Sequence, residues 1–203
     1  MNQAESNHDR GEGMNVSFDP KVYGPVVAEL WSEHRLIELG PGEPNAGAEP
    51  RLAGLQADDL FSARRILDRD MAQACLAGVW LYHNFLNQSH KISQTIATSS
   101  GSYWHGFMHR RELDFSNAKY WFRKVGVHPV YGRLCREAKA LAAAHPHFSP
   151  AFLTSQEEWD PYSFVDFCEE CLQVETPAEP LCRMIQQREW ELLFDYCYRK
   201  AAV

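Results

Sequence analysis

Helix start and stop signals follow one another along this chain with no strand pattern between them, and that punctuation restricts the fold more than any other feature. After an apolar set at Val26, Val27, Leu30 and Trp31, Asp58 or Asp59 can cap a short helix through Leu67. Asp68 or Asp70 can open the next, in which Met71, Cys75, Val79, Tyr82 and Leu86 recur at helical spacing. This helix is expected to run from Asp70 to about Ile96 and, being apolar around much of its girth, to lie centrally. Further helices are expected from Ser102 to about Leu113, from Phe115 to Lys124 under an Asp114 cap, and from Pro129 to Ala144. Gly126 serves as a left-handed stop, and Pro146 and Pro150 as breakers. Asp160 before Pro161 starts another, and Leu181 to Arg199 carries Met184, Ile185, Trp190, Leu193 and Tyr196 on the last. The expectation is an all-α fold, an irregular bundle of about seven or eight helices.

At 203 residues the chain is most economically one domain, spanning 18–203. Residues 1–17 are polar and aperiodic and are expected to form a disordered tail. A formal net charge of −7 argues against a general nucleic-acid or anionic-membrane binder, both of which need a dominant basic field. Neither a secretory signal nor an apolar run long enough to span a bilayer is present, so the expected compartment is the cytoplasm. The six cysteines then read as reduced thiols. Cys168 and Cys171 have CxxC spacing, but no second pair completes a zinc set and no strand precedes them, which points to buried thiols.

Function concentrates between Ser99 and Val130. His105 and His109 stand four apart, on one helical face, as two imidazoles sharing a metal would be, and Glu112 extends that face. The zinc-protease helix is excluded because Gly106 follows His105 where that motif places its glutamate. His90, on the preceding helix, offers a third nitrogen, giving a candidate metal set of His90, His105, His109 and Glu112 for zinc, iron or manganese. His83, among aromatic residues, reads as a packing residue. Arg110 and Arg111 are candidates for clamping a carboxylate or phosphate, with the Ser99–Ser102 turn as a helix start exposing N–H groups. Asp114, Asn117, Lys119, Tyr120 and Trp121, with Lys124 beside them, complete a polar and aromatic wall suited to a small polar ligand. If the site is catalytic, His105, His109 and Glu112 are its acid–base or ligating residues. The competing reading is a non-catalytic binding or interaction protein in which the same residues form a structural polar network.

The run from Trp104 to Pro129, WHGFMHRRELDFSNAKYWFRKVGVHP, resembles a bacterial and fungal family of uncharacterised proteins carrying a segment of the form HxxxHRRExDxxNAKYWFRRVG. The resemblance covers about the central eighth of the chain and implies no reaction, cofactor or catalytic residue. It makes accidental clustering of these side chains less plausible.

Overall fold

The computed structural model describes residues 18–203 apart from 34, 63 and 175, so the expected disordered tail lies outside the described residues. The described chain is all-helical: α1 (Pro25–Leu30), α2 (Glu49–Ala53), α3 (Arg69–Tyr82), α4 (Leu86–Ser93), α5 (Ser99–Arg111), α6 (Phe115–Val125), α7 (Tyr131–Ala144), α8 (Ala151–Ser155), α9 (Pro161–Gln173) and α10 (Glu179–Ala201). Short 3-10 turns at Pro20–Tyr23 and Ala57–Phe61 precede α1 and α3. Among the described residues no strand forms beyond an isolated bridge between Ile66 and Ala202. No helix there is long and apolar enough to cross a membrane.

The all-α expectation holds, with more and shorter helices than the sequence suggested. The excess comes partly from α1, α2 and α8, five or six residues each, too short to show a helical period. It also comes from a break: the single helix expected from Asp70 to Ile96 is two, α3 and α4, separated at His83–Phe85. Asn84 adopts φ 64° there, a left-handed conformation that asparagine tolerates because its side chain can bond nearby. Its Nδ2 donates to the Glu43 carbonyl at 2.8 Å and its Oδ1 accepts from Arg111 at 2.7 Å. The helix expected from Asp58 or Asp59 through Leu67 is only the Ala57–Phe61 turn, held by reciprocal bonds between Gln56 and Asp59 and ended by Ser62 at φ 49°.

Other signals act as written. Asp68, Asp114 and Asp160 accept N–H bonds at the starts of α3, α6 and α9, and Gly126 at φ 63° ends α6. Thr98 caps α5 from Ser99 onward, three residues before the expected start. Tertiary packing centres on α10, where Trp190 stacks on Phe194 with ring centroids 5.0 Å apart. The Trp190 indole also donates to the Gly78 carbonyl of α3 at 3.0 Å. Helix α5 is buried from Ser100 to Arg111, with α3, α4 and α6 against it. A helix enclosed on all sides has to bury its polar side chains, and burial is tolerated only where each finds a partner or a ligand.

Candidate metal centre

The α4 segment that follows the Asn84 break carries His90 across the face of α5. There it meets His105 and His109, one helical turn apart, and one ring nitrogen from each of the three lies within 4.8 Å of the others. Ring centroids are 4.8 Å apart for His90 and His105, 5.3 Å for His90 and His109, and 4.7 Å for His105 and His109. His105 and His109 are buried and His90 is partly open.

Gly106 eases the close packing around these rings. A Cβ there would come within 3.3 Å of the Ala118 carbonyl and of the Trp121 and Phe122 side chains, so its absence lets α6 approach α5 closely. Trp121 consequently lies flat on His105, with centroids 3.9 Å apart and planes 16° apart. This burial, reinforced by the neighbouring His109, His90 and Lys124, pulls the His105 pKa down to about 3, so the ring is neutral at pH 7. His105 Nδ1 is buried with no hydrogen-bond partner. An orphaned ring nitrogen beside two other imidazoles is what a metal ion would satisfy.

His109 is oriented rather than orphaned. Its Nδ1 lies 2.7 Å from Glu112 Oε1, and because an ionised carboxylate only accepts, Nδ1 carries the proton and Nε2 keeps its lone pair. That is the carboxylate–histidine pairing found behind metal-bound imidazoles. Burial lowers the His109 pKa, and Glu112 partly offsets it. Glu112 therefore accepts a hydrogen bond from His109, whereas the sequence suggested it as a metal ligand itself. Asp114 accepts the Asn117 N–H at 3.1 Å, which lowers its own pKa and fixes the start of α6. This cap brings the Asn117 amide to 3.1 Å from His109 Nε2. His109, Glu112 and Asp114 form a second group close enough to share an ion, but Glu112 and Asp114 already serve as orienting group and cap.

The expected arginine clamp does not form. Arg110 is fully buried, paired with Glu189 at 2.5 Å and bonded to Gln186 at 3.2 Å, between the rings of Phe107 and Phe164. Burial opposes its charge, and Glu189 outweighs burial and holds its pKa up. Arg111 donates to the Gly40 and Pro41 carbonyls and to Asn84 at 2.7, 3.1 and 2.7 Å, anchoring the loop before α2, and burial pulls its pKa down to about 9. Neither guanidinium faces open space. The Ser99–Ser102 turn is closed as well: Thr98 takes the Gly101 N–H, Ser99 donates to the Val125 carbonyl, and Ser100 to Ser102 are buried.

The wall on α6 divides. Asn117 and Trp121 reach the histidines, Tyr120 is exposed beside Lys124, and Lys119 turns away to pair with Asp166 of α9. Sequence reasoning missed Glu189 and Gln186, which lie 79 and 76 residues from Arg110 and carry no local signal. It also missed a buried contact between Ser100 Oγ and His128 Nε2 at 3.0 Å, which resembles a nucleophile and its base. The Val130 N–H points at His128 Nδ1 at 3.3 Å, so Nε2 carries the proton and donates to the serine. A histidine in that tautomer cannot take the serine proton.

A cleft of about 390 Å³ opens beside Glu112, lined on its other side by the start of α4 at Leu86, Asn87 and Gln88. Comparison with protein-family models, curated proteins and solved structures finds no match.

Proposed function

We propose that the protein holds a transition-metal dication through His90, His105 and His109 and works as a metal-dependent enzyme on a small polar or anionic molecule. The supporting observation is the convergence of three imidazoles from two helices, of which one, His105, has a buried ring nitrogen, Nδ1, without a hydrogen-bond partner. Imidazole ligands suit zinc and iron better than manganese, which favours oxygen, and three protein ligands leave a position for water or substrate. A dication supplies a polarised water or a Lewis-acid contact at such a position.

The chain's own residues prepare that chemistry. Glu112 holds His109 in the tautomer whose Nε2 carries a lone pair, which an ion would take over from the Asn117 amide, and the low basicity of His105 and His109 removes proton competition at neutral pH. Trp121 covers the His105 ring and keeps water from that side. Asn117 lies against His109 Nε2, where its amide can bond to a molecule in the open position. Glu112 borders the neighbouring cleft and is the nearest carboxylate for proton transfer. The alternative, a closed structural network, draws support from Glu112 and Asn117, which together already engage both ring nitrogens of His109.

Elemental analysis of untagged protein decides between them. The expected result is about one zinc or iron per chain, absent from the His105→Ala/His109→Ala double variant and retained in His145→Ala. Protein that stays metal-free after incubation with zinc, iron or manganese overturns the metal reading and leaves the structural network.

A further inference from the structure

Three of the six cysteines meet where the last two turns of α9 face the first turn of α10. Cys168 Sγ lies 3.4 Å from Cys182 Sγ, and Cys171, one turn further along α9, sits close enough to Cys182 for the two thiols to perturb each other's titration. The CxxC spacing on α9 thus acquires its third member from α10, which local sequence could not supply. We propose that these thiols are an oxidation site, in which Cys171 attacks a small hydroperoxide and a disulfide to Cys182 then ties α9 to α10.

Cys168 and Cys182 are fully enclosed, and Cys171, at 6% exposure near the end of its helix, is the member a water-sized oxidant can reach. The hydrogen bond from Cys182 lowers the Cys171 pKa and so raises its thiolate fraction. In the first step the Cys171 sulfur attacks one peroxide oxygen. The S–O bond forms, the O–O bond breaks, and hydroxide leaves to take up a proton as water. In the second step the Cys182 sulfur attacks the sulfenic acid. The S–S bond forms, the S–O bond breaks, and water leaves with the Cys182 proton. Cys168 can then displace Cys171 from Cys182, returning the proton to Cys171. The 3.4 Å separation must shorten by about 1.4 Å to reach the S–S bond length, a side-chain movement.

The other thiols lack such a partner arrangement. Cys135 points at the Gln156 and Glu157 carbonyls, and burial pushes Cys75 up and Cys197 up to about 12. The inference does not depend on metal binding.

The test is hydrogen peroxide treatment of the folded full chain with a chelator present. The expected product has lost two hydrogens, regains them with dithiothreitol, and yields peptides joining Cys182 to Cys171 or Cys168. Cys171→Ser, at a nearly buried but peripheral position, should melt as the wild type does and form the disulfide at least roughly tenfold more slowly. Cys182→Ala should halt at a sulfenic acid on Cys171 that dimedone traps; if that variant does not fold, Cys171→Ser decides alone. Unchanged oxidation kinetics in Cys171→Ser overturn the proposal. So does folded protein that stays reduced at peroxide concentrations that oxidise the urea-unfolded chain, or oxidation spread over Cys75, Cys135 and Cys197.

Discussion

Arg110 and Arg111 follow His109 directly in the chain, yet the two pairs on α5 belong to different kinds of structure. The arginines face α10 and the loop before α2, and every strong donor they present meets a fixed acceptor of the fold. The histidines face α4 and α6, where His105 keeps an unbonded nitrogen and His109 is held between Glu112 and the Asn117 amide. Complete satisfaction marks a structural group, because an unpaired buried charge is too costly to keep. Incomplete satisfaction beside two other imidazoles leaves room for a partner from outside, which is the role proposed for His105.

The largest effect should come from breaking the arginine side. Arg110→Ala leaves Glu189 as a buried carboxylate with Tyr103 as its remaining close donor, and the expected destabilisation is about 3–5 kcal/mol in urea unfolding. A joint Arg110→Met/Glu189→Met replacement should be milder than either single change, since both charges leave together. Metal content per folded chain should not change in these variants. A loss of metal without a loss of stability in Arg110→Ala would reverse the assignment of the two faces.

Acid should separate the faces next, because the arginines keep their charge in the range where histidines titrate. His105 sits at about 3, His83 and His128 at about 4, and His109 below its ordinary value, all chiefly through burial. These folded values lie below the unfolded value near 6.5, so as pH falls past that point the unfolded chain takes up protons that the native chain refuses. Stability is therefore unaffected above that point and declines below it, by at most about 1.4 kcal/mol per pH unit for each such histidine, until the folded values are reached. Urea unfolding followed from neutral pH down to about pH 4 measures the slope. A flat profile there would mean that these rings titrate normally and are not buried as described.

A smaller effect, confined to metal binding, is expected when Glu112 is removed. Glu112 is partly exposed and touches His109 through a single contact, so Glu112→Ala should change stability by less than about 0.5 kcal/mol. Metal affinity should fall by about 10–100-fold, as found when the carboxylate behind a ligating histidine is lost. Isothermal titration with zinc compares Glu112→Ala with the wild type, and equal affinities would take Glu112 out of the site.

What the sequence revealed of this division follows from the range of the interactions. The i, i+4 spacing of His105 and His109 is local and legible, and so are the Asp68, Asp114 and Asp160 caps, because a cap and its N–H groups lie within three residues. The turn at Asn84 was hidden by apolar residues that continue the helical pattern through it, and its partners, the donor Arg111 and the acceptor Glu43, are far along the chain. His90 was legible as a third imidazole only by supposing a fold-back after Thr98. That the arginines are structural was not legible at all, since Glu189 is set against Arg110 only by the packing of α10.

The smallest effect concerns the edge of the site on α6. Lys119 was grouped with Asn117, Tyr120 and Trp121 by sequence, but four residues of helix place these side chains in different directions, and Lys119 pairs with the exposed Asp166. A solvent-facing pair of this kind contributes little, so Lys119→Ala should cost less than about 0.5 kcal/mol. Its zinc affinity should equal the wild type's, whereas Asn117→Ala and Trp121→Ala, which lose contacts to His109 and His105, should both alter it. If Lys119→Ala weakens zinc binding as much as Trp121→Ala, then α9 belongs to the site's support and the boundary drawn here along α6 is misplaced by one helix.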